Sequence, residues 1–101
     1  MDRRVELGRI LRELLGTGNV YFQPPGNVKM SYPAIRYERS EMAVSHADNG
    51  VYNRRIRYMV TVITSDPDSE IVDKVGMLPL CRFERHYAQD NLNHDVFEIY
   101  F

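Results

Sequence analysis

The middle of the chain changes from an alternating pattern of apolar and polar residues to a helical one. Apolar residues first occupy every second position, namely Ile56, Tyr58, Val60 and Val62. Because period two with β-branched and aromatic residues is typical of a half-buried strand, we predict a strand here. Helical spacing follows in Ile71, Val72, Val75 and Leu78. Asp66 before Pro67 predicts the N-cap of this helix, and Gly76 predicts its end.

A second amphipathic helix is predicted near the N-terminus. Apolar residues recur there at i, i+3, i+4 and i+7, in Leu7, Ile10, Leu11 and Leu14. The helix is expected from about Asp2 to Leu15, because Gly16 and Gly18 follow it. Asn19 to Gln23 is predicted to be a short strand at an edge of the sheet, since the prolines and glycine after it cannot continue a ladder.

The longest predicted element is a β-hairpin. An extended segment runs from Ala34 to Ala47, and its apolar residues change faces midway, which predicts either a bulge or burial of both faces at different ends. Asp48-Asn49-Gly50 follows, and Asn-Gly fits a type I′ turn because it tolerates positive φ. We therefore expect the strand from Ile35 to Ala47 to pair antiparallel with a strand from Val51 to Thr64.

The C-terminal part of the chain is predicted to add further strands. Leu80 to Tyr87 alternates, and three of its residues are expected on one face: Cys81, Phe83 and Tyr87. Gln89 to Asp95 is predicted to be a polar loop, and Val96 to Phe101 the last strand. The order of elements predicts one α+β domain over residues 1–101. Its sheet is expected to have about four or five mostly antiparallel strands, a long β-hairpin and two helices packed on one face.

Composition limits the classes of protein that remain. The chain has 101 residues, a formal net charge of −1 and 27% charged residues, whereas a domain that holds nucleic acid by bulk electrostatics is normally basic. Its one cysteine cannot form an internal disulfide, which favours a reducing compartment. The sequence has no apolar run near the roughly 20 residues that span a bilayer, and no signal-peptide core. We therefore expect a soluble protein that does not interact with membranes.

Catalytic chemistry would have to involve Cys81 or the histidines His46, His86 and His94. Cys81 lies among apolar residues of a predicted strand, where a buried thiol behaves as a small hydrophobe. The histidines lack the spacing of zinc ligands, and the sequence has no phosphate-binding loop, nucleophile elbow or paired-carboxylate motif. We predict a protein that is not an enzyme and that holds neither a metal nor a cofactor.

Nucleic-acid binding is an alternative function. Several arginines are expected in the hairpin: Arg36, Arg39, Arg54, Arg55 and Arg57. Tyrosines are interleaved with them: Tyr37, Tyr52 and Tyr58. Such a set loosely resembles an aromatic and basic platform for single strands. Against this function, the second half of the chain carries more acids than bases, and Tyr58 belongs to the face that is predicted to be buried.

The distribution of charge favours a third function, which is assembly. Basic residues concentrate at one end of the central strand, in Arg54, Arg55 and Arg57. Acidic residues follow its other end, in Asp66, Asp68, Glu70 and Asp73. Such a subunit can dock head to tail on its neighbour, and a heterologous contact closes into a ring when its rotation permits. The acids are also explained by the helix dipole alone, but the arginines are not.

The order and spacing of several stretches resemble a known family. The stretches are Val20–Pro25, Met30–Tyr37, Tyr58–Ile63, Asp66–Ser69, Phe83–Tyr87 and Asp90–Phe97. Together they resemble small α+β proteins of siphophages, known as tail terminator, tail-completion, head–tail joining or minor capsid proteins. The resemblance covers most of the chain from Asn19 onward.

The resemblance implies a structural protein of the virion. Tail terminators form a ring, commonly six-fold, that caps the tail tube and then joins it to the head–tail connector. The sheets line a channel through which DNA passes without specific binding, and a hairpin such as Arg39–Arg55 is expected to project. A head–tail connector or adaptor subunit remains an alternative, because it too is small and forms rings. The implied location is the tail or neck of the virion, after assembly in the cytoplasm of a bacterial host.

The resemblance also assigns expected roles to two groups of residues. The interface between neighbouring subunits is expected to contain Arg54, Arg55 and Arg57 of one copy and Asp66, Asp68 and Asp73 of the next. Contacts with the tail tube or the connector are expected from the hairpin tip and from the loop 89–95. The residues that we assign to these contacts are Asp48, Asn49, Gly50, Asn91, Asn93 and His94.

Overall fold

The structure, a computed structural model, describes residues 3–24, 26, 29–47, 50–66 and 68–101, with the backbone alone described for 41–47 and 50–55. Its elements follow one another as α1 (Arg3–Leu15), β1 (Val20–Phe22), β2 (Ala34–Ala47), β3 (Gly50–Thr64), α2 (Glu70–Gly76), β4 (Cys81–Gln89) and β5 (Leu92–Tyr100). The strands form one five-stranded sheet in the order β1-β2-β3-β5-β4. Only β1 and β2 pair in parallel, and the other pairs are antiparallel. The predicted α+β class is therefore confirmed.

Both helices pack on the same face of the sheet, which we call the helix face. Leu7, Leu11 and Leu15 of α1 are buried there because their spacing places them on one side of the helix. Val75 of α2 is buried in the same cluster. The sheet contributes Ile35, Tyr37, Tyr58, Val60, Val62, Phe97 and Ile99. Each large apolar side chain buried here stabilises the fold by roughly 1.5–3 kcal/mol, so this cluster is the main stabilising feature.

Two glycines adapt α1 to this packing. A Cβ atom on Gly8 would lie 2.6 Å from the hydroxyl oxygen of Tyr37, so the helix approaches β2 more closely than any other residue would allow. Gly16 ends the helix with a φ of 82°, and its N–H donates to the carbonyl of Arg12. This left-handed cap is the usual way for glycine to end a helix, and it agrees with the predicted end of α1.

The central strand β3 is buried on both faces, although its alternating pattern predicted burial on one. Thr61 and Ile63, on the face opposite the helices, are each only 5% exposed. We call this second face the helix-free face. The strand lies between β2 and β5 in the middle of the sheet, so its neighbours shield the small side chains on either side.

The helix α2 begins later than its sequence indicates. We predicted Asp66 as the N-cap, but the N-cap is Ser69, whose Oγ accepts a hydrogen bond from the N–H of Ile71 at 3.3 Å. The Asp66 side chain accepts instead from the N–H of Asp68 at 2.9 Å, which is an Asx turn. Asp66 therefore shapes the loop before the helix, and the predicted end at Gly76 is correct.

Two bulges change which residues share a face. The register of β2 shifts between Arg39 and Glu41, which is one of the two alternatives that the change of apolar face predicted. A second shift in β4, between Phe83 and Arg85, was not predicted. Because of it, Tyr87 lies opposite His94 on the helix-free face, and the expectation that it shares a face with Cys81 and Phe83 is wrong.

The predicted loop from Gln89 to Asp95 is wrong. The structure has a two-residue turn, Asp90-Asn91, with β5 already beginning at Leu92. The φ angles of Asp90 and Asn91 are 54° and 63°, which is the left-handed pair that a type I′ hairpin turn requires. Asp and Asn adopt this conformation more easily than other non-glycine residues. Asp90-Asn91 can therefore form a type I′ turn, for which Asn-Gly is a preferred sequence.

The hairpin of β2 and β3 extends beyond the rest of the sheet. β5 pairs with β3 only from Arg57 to Thr64, and β1 pairs with β2 only from Ile35 to Tyr37. Within the described residues, no other strand pairs with 41–47 or 50–56. The molecule is accordingly elongated, measuring 51 × 23 × 23 Å. The predicted turn at Asp48 and Asn49 lies outside the described residues.

Candidate functional site

The two charged groups of the predicted interface lie at opposite ends of the sheet. Arg54 and Arg55 pair with Val44 and Ala43 in the projecting hairpin. At the other end of β3, Thr64 leads into the loop and helix that carry the acids. The arginines and the acids are therefore not brought together within one chain. A contact between them requires two molecules, as the assembly hypothesis expects.

The acidic group forms an exposed surface. Asp66, Asp68, Glu70 and Asp73 are all exposed. Among the described residues, none of these four carboxylates lies in an intramolecular ion pair. Glu70 and Asp73 lie in the first turn of α2, where negative charge interacts favourably with the helix dipole and stabilises the helix. Asp66 and Asp68 precede the helix, and their charge faces solvent.

Arg57 has an intramolecular partner that its sequence context did not reveal. Its Nη1 lies 2.9 Å from Oε1 of Glu98, whose side chain is almost fully buried on the helix-free face. The other carboxylate oxygen of Glu98 pairs with Arg82 of β4. Arg57 also donates from Nε to Ser40 Oγ at 3.0 Å, at the bulge of β2. These four residues tie β2, β3, β5 and β4 together where the hairpin leaves the sheet.

The carboxylate of Glu98 also affects the titration of Arg82, its exposed partner. The hydrogen bond from Arg82 to Glu98, and the attraction between their charges, raise the pKa of the Arg82 guanidinium. Two guanidinium groups share one carboxylate here.

The residues predicted to contact the tail tube or the connector occupy different settings. Asp48 and Asn49 lie outside the described residues, and Gly50 begins β3. Asn91 is exposed at the tip of the β4–β5 turn. Asn93 and His94 lie within β5, where Asn93 Oδ1 is 3.2 Å from Nε2 of His86. The ring of His94 stacks on Tyr87, with 4.6 Å between the ring centroids.

Cys81 lies at the opposite end of the β4–β5 hairpin from His86 and His94. Cys81 is half-buried at the start of β4, and burial raises the pKa of its thiol, which lowers its reactivity. Within the part of the chain that the structure describes, no three His, Cys, Asp or Glu side chains are placed to hold a metal ion. The helices found there are also too short and too polar to cross a bilayer.

Asp95 makes stability depend on pH. Its residue is 8% exposed in β5, and burial raises the carboxyl pKa above its ordinary value of 3.8, an effect that His86 and His94 partly offset. Because the folded state keeps this proton to higher pH than the unfolded state, the contribution of Asp95 to stability falls as the pH rises above 3.8. We expect Asp95→Asn to melt at a higher temperature than the wild type near neutral pH. The difference should vanish as the pH falls towards 3.8 in thermal melts.

The exposed turn residue Asp90 provides the matched control for this substitution. Asp90→Asn removes a carboxylate that is already in water, so the melting temperature should not change at either pH. A lower melting temperature for Asp95→Asn near neutral pH would contradict the prediction. It would mean that the charged carboxylate makes a stabilising contact that outweighs the cost of its burial.

An apolar notch at the base of the hairpin was not predicted. It is a cavity of about 250 Å³ between the start of α1, the α2–β4 connection and the end of β5. Its lining includes Leu7, Leu78, Leu80, Ile99 and Phe101, with Arg3 beside them. The Arg3 guanidinium lies over the Phe101 ring, 4.7 Å from its centroid. No periodic pattern in the sequence predicts this site, because its walls come from three distant segments.

The prediction of an aromatic platform for nucleic acid is wrong for two of its three tyrosines. Tyr37 and Tyr58 are buried on the helix face, 3% and 2% exposed, with 6.2 Å between their ring centroids. Neither ring can stack on a base without unfolding the core. The side chain of Tyr52 lies outside what the structure describes.

Taken together, these features define a small α+β protein with a projecting hairpin, opposite charges at its two ends and an apolar notch beside the hairpin. The sequence matches no protein-family model, and it matches no curated protein.

Proposed function

We propose that this protein is a subunit of a homo-oligomeric ring that caps a phage tail tube and joins it to the head, as a siphophage tail terminator does. The observation that carries the proposal is the hairpin of β2 and β3, which extends past its neighbouring strands at Tyr37 and Arg57. An isolated two-stranded ribbon is only marginally stable in water. Its unpaired edges are also ready templates for another chain. A neighbouring subunit would supply the missing support.

The charge distribution supports a head-to-tail contact. The hairpin end carries Arg54, Arg55 and Arg57, and the opposite end carries exposed acids that include Asp66 and Asp68. Because the two surfaces differ, the contact is heterologous, and a suitable rotation closes it into a ring. Arg57 already pairs with Glu98 inside the chain, so Arg54 and Arg55 remain the stronger candidates for contact with a neighbour.

The function needs no catalysis, because the ring works through its geometry and its interfaces. If the helix-free face lines the channel, Glu98 neutralises part of the charge of Arg57 and Arg82. That would weaken the attraction between the lining and the phosphates of passing DNA. The partners of the ring would be the tail tube protein and the head–tail connector protein.

The test shortens the hairpin and leaves the sheet intact. Residues 43–55 are replaced by Asn-Gly, which joins Met42 to Ile56, a pair that already face each other across the hairpin. Light scattering coupled to size exclusion is measured at low and high salt, with electron microscopy of the same samples. We expect the full chain to form closed rings that dissociate in salt, and the shortened chain to remain a folded monomer. Unchanged assembly of the shortened chain would overturn the proposal.

Binding assays separate the remaining alternatives. A tail terminator should bind the open end of purified tail tubes, with or without the connector protein. Binding to the connector alone would favour a head–tail adaptor instead. Retention of single-stranded DNA at physiological salt, with no binding to either protein, would favour the nucleic-acid alternative.

A further inference from the structure

Leu80 combines an unfavourable backbone conformation with an exposed apolar side chain. Its φ is 57°, in the left-handed region, and 57% of the residue is exposed to solvent. This conformation is unfavourable for an L-residue other than glycine, asparagine or aspartate. Asp90 and Asn91 adopt it too, but they are residue types that tolerate it, and Gln23, with a φ of 44°, is polar. A strained leucine that faces water points to a role outside its own chain.

The side chain of Leu80 stands at the edge of the apolar notch. The notch holds about 250 Å³ between Leu7, Leu78, Ile99 and Phe101. Met77 lies three residues before Leu80 and is a second large apolar residue that is exposed, at 83%. An exposed cluster of large apolar side chains marks an interaction surface more often than isolated ones do.

Arg3 supplies the charge at this surface. Its Cζ lies over the Phe101 ring, 4.7 Å from the ring centroid, which is a cation–π contact. The N–H donors of a guanidinium lie in its plane, so an arginine in such a contact can still bind a carboxylate at its rim. The notch is therefore apolar inside and basic at its margin, which suits an acidic segment that also has apolar surface.

We propose that this notch receives the acidic end of a second copy of the chain, where Asp66, Asp68 and Glu70 are exposed. The inference rests on the proposed function and adds to it the surfaces that would meet. We choose this occupant because its negative charge complements the positive charge of Arg3. These acids also have no intramolecular ion pair among the described residues. Ile99 in the notch and Asn93 near the acidic end lie six residues apart in β5, roughly 20 Å at the rise of a strand. One copy therefore cannot fill its own notch, and the contact repeats head to tail.

A disulfide trap tests this contact directly. Cys81 is the only cysteine, so Cys81→Ser gives a cysteine-free background. A Leu80→Cys chain is mixed with a tagged Asp68→Cys chain under mild oxidation. We expect a cross-linked heterodimer, and a ladder of oligomers when both substitutions are in one chain. Ala88→Cys replaces Leu80→Cys as the control, since Ala88 is exposed near the far end of β4, the strand that follows Leu80.

The second test separates the strain of Leu80 from its contact. Leu80→Gly suits the left-handed backbone, so its melting temperature should stay the same or rise. Its self-association should nevertheless weaken by about tenfold or more, as for a buried anchor residue at an interface. Val5→Ala is the control, because Val5 is an exposed apolar residue of α1 outside the lining of the notch. Arg3→Glu should weaken association similarly, and Asp68→Arg in the partner should restore it.

The outcomes distinguish this inference from the proposed ring. A trap no more efficient than the Ala88→Cys control, or an unchanged association constant for Leu80→Gly, overturns the inference. If closed rings form in that case, the ring proposal stands with another interface. An efficient trap in open chains or isolated dimers supports the inference and counts against the tail-terminator function.

Discussion

Replacing Tyr58 with alanine is expected to lower the free energy of unfolding by about 3–5 kcal/mol. The residue is 2% exposed in the middle of the helix face, and it pairs with Arg39 in β2 and Ile99 in β5. Its ring lies 6.2 Å from that of Tyr37, which in turn packs against α1. Removing it leaves a cavity where the hairpin meets the core. Urea denaturation followed by circular dichroism measures the loss.

The exposed Tyr32 is the matched control for this prediction. Tyr32→Ala should change stability by less than about 0.5 kcal/mol, because the ring faces solvent. A loss below about 1 kcal/mol for Tyr58→Ala would show that the ring is not a core residue. The same variants test the nucleic-acid alternative. Loss of DNA binding in Tyr58→Ala without a change in stability would restore the aromatic platform.

Regular periodicity explains the part of the fold that could be predicted from the sequence. The alternation in 56–62 correctly places Tyr58, Val60 and Val62 in the core. The apolar spacing in 7–14 is correct for Leu7 and Leu11, whereas Leu14 only packs against the core and Leu15 is buried instead of Ile10. Such elements are determined by their own residues, since helix and strand faces follow from spacing alone. The bulge in β2 was one of two predicted alternatives, because the apolar residues before and after it belong to opposite faces.

Features that depend on a neighbouring strand could not be predicted in this way. The bulge near Glu84 lies beside Arg85, which interrupts the alternation of the strand, but only the pairing with β5 shows that the register shifts there. The turn at Asp90 and Asn91 was hidden in a polar stretch that also fits a loop. Ser69 replaced Asp66 as the N-cap because the Asp66 side chain closes a turn on Asp68. This choice of N-cap depends on local competition between polar groups.

The candidate site likewise has features that could be predicted from the sequence and features that could not. The separation of the arginines from the acids follows from the order of residues along β3, and the sequence was sufficient to predict it. The partner of Arg57 was not predictable, because Glu98 reaches it only through the register of β3 and β5. The sequence offered one signal of this pair, which is Glu98 between Phe97 and Ile99. A charged residue in an apolar strand is seldom buried unless it has a partner. The notch needed the full fold.

Glu98 is therefore the second residue whose replacement should have a large effect. Glu98→Ala removes the only carboxylate seen to pair with both Arg57 and Arg82 among the described residues. The Arg57 side chain is 29% exposed and keeps a partly desolvated charge, whereas Arg82 is 77% exposed and turns to water. We expect a loss of about 2–3 kcal/mol in urea denaturation, below the 3–5 kcal/mol of a fully buried pair. Arg82→Ala should cost about 0–1 kcal/mol, because its charge is well solvated.

Comparing Glu98→Ala with Arg82→Ala shows whether Arg57 stabilises its own chain or serves only a neighbouring subunit. If Arg57 served only a neighbouring subunit, Glu98→Ala would leave the stability of the isolated chain unchanged. If the Arg57–Glu98 pair anchors the hairpin, the same change should also loosen the bulge at Ser40, which Arg57 holds through its Nε atom. Amide hydrogen exchange in 41–47 and 50–56 should then accelerate in Glu98→Ala and not in Arg82→Ala. Equal stability losses in the two variants would contradict this division, since they would place the stabilising contact in the exposed pair. An anchored hairpin leaves the base of the ribbon rigid and its free edges available to a second copy.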